Sequence, residues 1–260
     1  MTFHIQWRSN EGYGDFVGGM AYAHSSVIKY KQPVTINFHW PNVKDSYFSS
    51  LDNETILYRF NHILSFMRPV KGLNITHTFS SIPTYRFINQ LEEFNYLHGL
   101  WYPKHELKTT PKLVVHWSSK HNVTFPGYHK DPAYDIWDDI VDRLLALGYD
   151  VREVTYRTPI KKVLELIANC EFGVGYEGMI HQLFKFMWKP LVVASQRKSL
   201  AKLLAPQGYV ITDPKLLLSD NILDFVNISK QEIIKYKDLH YKYMHDYQDP
   251  TLHPLYNKEI

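Results

Sequence analysis

The 260-residue chain has one cysteine, Cys170, which rules out an internal disulfide framework and, with no C-x-x-C pair, a thiolate zinc site. A reducing compartment is expected. No eighteen uncharged apolar residues run together, and the opening MTFHIQWRSNEGYGD has no apolar core of the secretory kind. The expectation is a cytoplasmic protein with no membrane partner. A dominant charge of one sign is also missing. The 29 Lys and Arg set against 26 Asp and Glu leave +3, which permits a polyanionic partner without demanding one. What the chain does have is apolar and aromatic bulk, 45% and 15%, too much for a disordered chain. It also has fourteen histidines, which gain charge when pH falls or an anion binds beside them; they favour an anionic ligand.

Strand and helix patterns alternate along the chain with no repeat or low-complexity stretch. In the first half, 3–7 reads as a strand, 15–30 as a helix that Asp15 can cap, 34–38 as a strand, 54–67 as a helix, 73–79 as a strand and 85–94 as a helix. The stretch 99–111, with two prolines among charges, marks a domain junction. In the second half, KLVVHW at 112–117 is a buried-type strand and 133–147 a helix stopped by Gly148. Then come a strand at 149–155, a helix at 159–169, a strand at 171–174, a helix at 178–188 and a strand at 191–194. From 214 onward the pattern is helical. This rhythm implies parallel βαβ units, divided into domains at 1–103 and 111–228 with a helical segment at 229–260.

Three constellations have the residue types for chemistry. The first is Asn10-Glu11-Gly12-Tyr13-Gly14-Asp15, between the first strand and helix. Its glycines allow close backbone approach, the helix start offers free N–H donors, and Asp15 fits a general base. A glycine-rich turn with an aspartate cap is equally an ordinary structural feature. The second is Phe172-Gly-Val-Gly-Tyr-Glu-Gly-Met-Ile-His181, an apolar strand, a turn and a helix start. A diphosphate would sit on the helix N-terminus near Tyr176, Glu177, Gly178 and Met179, with Glu177 free to accept from a sugar hydroxyl and His181 one turn in, facing the phosphates. A tight turn with a buried histidine fits the same residues. The third is His116-Trp117-Ser118-Ser119-Lys120 at a strand end. The hydroxyls of Ser118 and Ser119 and the ammonium of Lys120 suit phosphates, although Lys120 fits plain solvation too.

The order of these pieces, ending in G-x-G-x-E-G-x-x-H, resembles the GT-B glycosyltransferases close to bacterial heptosyltransferases. The family's Gly-Asp pair falls on Gly14-Asp15, and its acidic residue, glycine and histidine fall on Glu177-Gly178 and His181, followed by Lys189-Pro190-Leu191. The likeness covers most of 112–213 and is thinner over 1–100. The family usually has Asp then Ser or Thr before the glycine, where this chain has Tyr176-Glu177. A narrower similarity, carried by HIQWRSNEGYGDFVGGMAYAHSS at 4–26, is to small tailed-bacteriophage glycosyltransferases that decorate 5-hydroxymethylcytosine in phage DNA, arabinosyl-adding ones among them.

The resemblance implies an α/β fold of two Rossmann-like domains facing a central cleft, with C-terminal helices. It implies sugar transfer from a nucleotide-sugar donor, a UDP-sugar favoured, to 5-hydroxymethylcytosine in double-stranded DNA. The protein would be a monomer or weak dimer in the cytoplasm, the host's if the gene is a phage's. Asp15 would be the catalytic base, with Gly12, Tyr13, Gly14 and Arg86 on the acceptor side. Ser118, Ser119, Lys120, Tyr176, Glu177, Gly178, Met179 and His181 would hold the donor. No metal or other cofactor is expected, in keeping with the lack of an Asp-x-Asp motif. The alternatives are transfer to a surface glycan or lipid-linked sugar, and a non-catalytic nucleotide or nucleic-acid-binding module on the same scaffold.

Overall fold

Short apolar runs separated by helix stops produce a mixed α/β protein with parallel sheets. The computed structural model describes residues 2–6, 32–39, 52–65, 72–79, 108–119, 131–155, 157–198, 201, 207–219 and 222–246. It divides the chain into two compact units, Met1–Lys104 with Tyr236–Ile260, and His105–Lys235. The helices expected at 15–30 and 85–94 lie outside the described residues.

The described sheet of the first unit is parallel, in the order β1 (Thr2–Gln6), β2 (Val34–His39), β3 (Leu73–Thr78). Val34, Ile36 and Phe38 alternate into the core. Helix α1 (Asn53–Ser65) brings Ile56, Phe60 and Ile63 from one face into the core, the spacing of a half-buried helix. Asp52 caps α1 by accepting from the Thr55 N–H at 2.6 Å, and that bond holds its carboxyl below the usual carboxylate range. His77 stacks on Phe38 and Phe60, with ring centroids 5.7 and 6.1 Å away. Burial lowers its pKa to about 4.

Among the described residues, the second unit holds a five-stranded, wholly parallel sheet. In chain order its strands are β4 (Leu113–Trp117), β5 (Asp150–Glu153), β6 (Phe172–Tyr176), β7 (Leu191–Ala194) and β8 (Tyr209–Ile211). In space they run β5-β4-β6-β7-β8. Helix α2 (Trp137–Ala146) joins β4 to β5, α3 (Ile160–Asn169) joins β5 to β6, and α4 (Met179–Phe186) joins β6 to β7. A 3-10 turn, Tyr134–Ile136, begins the helix expected at 133–147, and β8 is a strand that the sequence patterns did not predict. Helix α5 (Ile222–Asp246) runs unbroken through position 229.

Two helices end on left-handed residues. After α2, Gly148 has φ 80 and the Tyr149 N–H reaches the Leu144 carbonyl at 3.1 Å. After α4 the same closure is made by Trp188, φ 53, with the Lys189 N–H on the Phe184 carbonyl at 3.1 Å. Pro190 follows and prevents the helix from continuing.

Strand alternation sorts the core. Val114, Phe172, Val174, Val192 and Ala194 face one way, against Trp137, Ile140 and Leu144 of α2 and Phe225 and Val226 of α5. On the opposite face α4 lies against β6, at positions where β6 has no side chain. A Cβ on Gly173 would stand 2.2 Å from the Phe184 ring, and one on Gly175 would stand 2.3 Å from the Trp117 ring and 2.5 Å from the Trp117 carbonyl oxygen. Trp117 and Phe184 stack on each other at 5.1 Å, and the Trp117 indole donates to the Tyr176 carbonyl at 2.7 Å. Both glycines therefore serve packing. Gly173→Ala should destabilise by about 3 kcal/mol, near the upper end for overpacking, and Phe184→Leu should recover part of that loss. Gly175→Ala, which also meets backbone, should gain nothing from Phe184→Leu. Urea melts of the single and double variants check both expectations.

Candidate functional site

A parallel sheet aims all its strand ends at one edge, and the strand order here reverses between β4 and β6. From β4 the chain first moves outward to β5, then crosses back to β6 and on to β8. Ligands of such sheets bind beyond the carboxyl ends at this reversal. Register pairs Trp117 with Gly175 and Tyr176 with Ala194. Ser118-Ser119, Tyr176-Glu177-Gly178 and Ser195-Gln196-Arg197 thus leave three adjacent strands at the same edge.

On the β4 side, Asp131 fixes the exit. Its carboxylate accepts from the Ser119 N–H at 3.1 Å, the Ala133 N–H at 3.1 Å and the Trp137 indole at 2.8 Å. Ser118 and Ser119 are both buried. The Ser119 hydroxyl has no hydrogen-bond partner among the described residues. His116, two positions before Ser118, is bonded through Nδ1 to the Val174 carbonyl at 3.1 Å, and burial lowers its pKa. It ties β4 to β6 as a neutral ring.

On the β6 side, Gly178 begins α4 with no side-chain cap, and a Cβ there would meet only ordinary contacts with the Tyr176 ring. Glu177, expected to be free for a sugar hydroxyl, is instead engaged. It is 4% exposed and accepts from the Ser195 hydroxyl at 2.8 Å, from Arg197 Nε at 3.2 Å and from an Arg197 terminal nitrogen. An ionised carboxylate that is taken out of water needs such partners.

His181, expected to face phosphates, is wholly buried, and neither ring nitrogen has a hydrogen-bond partner among the described residues. Burial, assisted by Lys185 one turn on, lowers its pKa to about 3. It carries no charge at neutral pH. Lys185 is buried as well, and its pKa falls well below the usual lysine value. Lys189 sits at the other edge of the sheet, before β7, donating to Thr109 Oγ1 at 3.0 Å and the Cys170 carbonyl at 2.9 Å. Its role there is structural.

The structure thus brings together Ser118, Ser119, Tyr176, Glu177, Gly178 and Met179 at one edge, and puts His181 inside. Lys120, Gly12, Tyr13, Gly14, Asp15 and Arg86 lie outside the described residues. Ser195 and Arg197 join the edge without having been picked out from the sequence. The signal was available, because both follow a buried apolar strand at its carboxyl end, as Ser118 follows β4. Among the described residues, no three His, Cys, Asp or Glu side chains gather as a metal site, and no helix is long and apolar enough to cross a membrane. No protein-family model matches the chain, and no curated protein is significantly similar to it.

His181 sets a pH dependence. Its folded pKa lies below the ordinary 6.5, so its contribution is intact above about pH 6.5 and is lost as pH falls, because the unfolded chain takes up a proton that the folded chain resists. At pH 4.5 the loss from this one group is roughly 2–3 kcal/mol. His77 adds to the loss in the same direction. His181→Leu should keep or raise stability at pH 7, where an unpaired buried polar group is removed, and should flatten the decline between pH 6.5 and 4.5. An unchanged slope in urea melts across that range would refute this.

Proposed function

We propose that the protein is a nucleotide-sugar-dependent glycosyltransferase of the GT-B type whose acceptor is 5-hydroxymethylcytosine in double-stranded DNA. The observation that carries the reading is the meeting of Ser118-Ser119 with Glu177-Gly178 across the strand-order reversal, at the start of an uncapped helix. Such an edge suits a diphosphate and its sugar. The likeness of 112–213 to GT-B donor domains, and of 4–26 to the phage enzymes, supplies the reaction and the acceptor.

In this reading Asp15 takes the proton from the acceptor hydroxyl, and that oxygen bonds to the anomeric carbon of the donor sugar. The bond from that carbon to the diphosphate breaks, and the leaving group departs with the electron pair. Backbone N–H groups at the start of α4, the serine hydroxyls and Lys120 stabilise the developing negative charge. A base in duplex DNA must first be flipped out, at a cost of a few kcal/mol that stacking and phosphate contacts offset. His181, neutral in its buried setting, brings no charge to the step.

The test is incubation with a panel of nucleotide sugars and DNA, with and without 5-hydroxymethylcytosine, followed by nucleoside mass spectrometry. A sugar-sized mass gain on the modified base alone is expected. Asp15→Asn should lower turnover about 10²–10⁴-fold, the worth of a general base, while nucleotide-sugar binding persists. Transfer to a glycan or lipid-linked acceptor instead would replace the DNA assignment. Nucleotide binding with no transfer to any of these acceptors would reduce the protein to a binding module.

A further inference from the structure

The pairing of Glu177 with Arg197 is a feature that the account of sugar transfer leaves unused. Glu177 is nearly sealed from water, whereas the Arg197 side chain is 39% exposed. The two are joined side-on, Arg197 Nε and one terminal nitrogen reaching the two carboxylate oxygens, and the Ser195 hydroxyl binds one of those oxygens. The Ser195 hydroxyl also accepts from the Arg197 backbone N–H at 2.9 Å. The guanidinium is therefore held at both its head and its main chain.

A guanidinium has five N–H donors in a rigid plane. The Glu177 contact uses one edge of that plane. The other guanidinium donors have no acceptor among the described residues, and the side chain is open to solvent. An ion pair with one partner open to solvent adds little to stability, so the fold alone does not account for an arginine held on Glu177. What the pair does is orient a cation. It does so beside the β6 end, where α4 starts with no side-chain cap and its first N–H groups carry partial positive charge.

We infer that Arg197 is a phosphate-binding residue, positioned by Glu177 and Ser195 to take the diphosphate of a nucleotide at the carboxyl edge of β6 and β7. This rests on reading the edge as a nucleotide-sugar site, and it reassigns Glu177 from sugar contact to positioning. Arginine matches the chemistry, because its free N–H pair spans two phosphate oxygens as an ammonium cannot.

Calorimetric titration tests the assignment with nucleoside diphosphates, the matching nucleosides and inorganic pyrophosphate as probes. Because Arg197→Met alone strands a buried carboxylate, the informative variant is Glu177→Gln with Arg197→Met, its fold checked by thermal melt. Diphosphate affinity is expected to fall at least tenfold in the double variant, and nucleoside affinity to stay within twofold. Arg197→Lys, which keeps the charge without the fork, should fall short of the natural protein, and Glu177→Gln alone should give an intermediate loss. A parallel loss for pyrophosphate would assign the effect to the phosphates themselves. Equal diphosphate affinity in the double variant and the natural protein would overturn the role of Arg197 and leave the nucleotide reading standing, as would equal losses for diphosphates and nucleosides, the mark of a structural role. If the natural protein bound none of the probes, both would fall.

Discussion

At the middle of the five-stranded sheet, β6 has no side chain at Gly173 and Gly175, and the Phe184 and Trp117 rings fill the space that side chains would take. The distances leave no room for a methyl group. Helix α4 is thereby drawn down onto the sheet, and the Trp117 indole, bonded to the Tyr176 carbonyl, ties the end of β4 to the end of β6. The placing of Glu177, Gly178 and the start of α4 follows from that contact. A protein interior is packed densely enough that one added methyl group at this contact must shift the rings or the backbone around it.

The carboxyl edge is also where the second unit departs from an apolar core. Asp131 gathers three N–H donors behind Ser119, and Glu177 gathers Arg197 and Ser195 beside Gly178. Each carboxylate is buried and each is satisfied, so each stiffens a strand exit. Inside α4 the chemistry runs the other way: His181 and Lys185 lie one turn apart in surroundings that disfavour their charged forms. Among the described residues of this edge, Arg197 and the start of α4 are where positive character faces solvent, and the buried basic groups of α4 do not contribute.

Strands β4, β6 and β7 were legible in the sequence because each is a short apolar run stopped by glycine, proline or a polar turn, and α2 because its apolar stripe ends at Gly148. Strand β8 was not, since Tyr209–Ile211 is too short to show a period. The residues of the carboxyl edge could be picked from strand ends, as the rule for parallel sheets allows. What those residues touch could not. The partner of Glu177 lies twenty residues away, beyond another strand, and no local pattern links Gly173 to Phe184. The buried alternative for His181 was visible in its place on an apolar helix face, and only packing decides between that and a ligand contact. Asp15 and its neighbours, proposed for the acceptor, were picked out as a glycine-bearing turn between a strand pattern and a helix pattern.

On the proposed function, a nucleotide diphosphate binds at the carboxyl edge of the second sheet. Amide hydrogen exchange with and without a saturating nucleoside diphosphate tests it most directly. Slowed exchange is expected at Ser118-Ser119, across Gly178 to His181 and at Ser195 to Arg197, with no change at the opposite edge around Lys112, Glu171 and Lys189. Protection confined to that opposite edge, or absent from the second unit altogether, would contradict it.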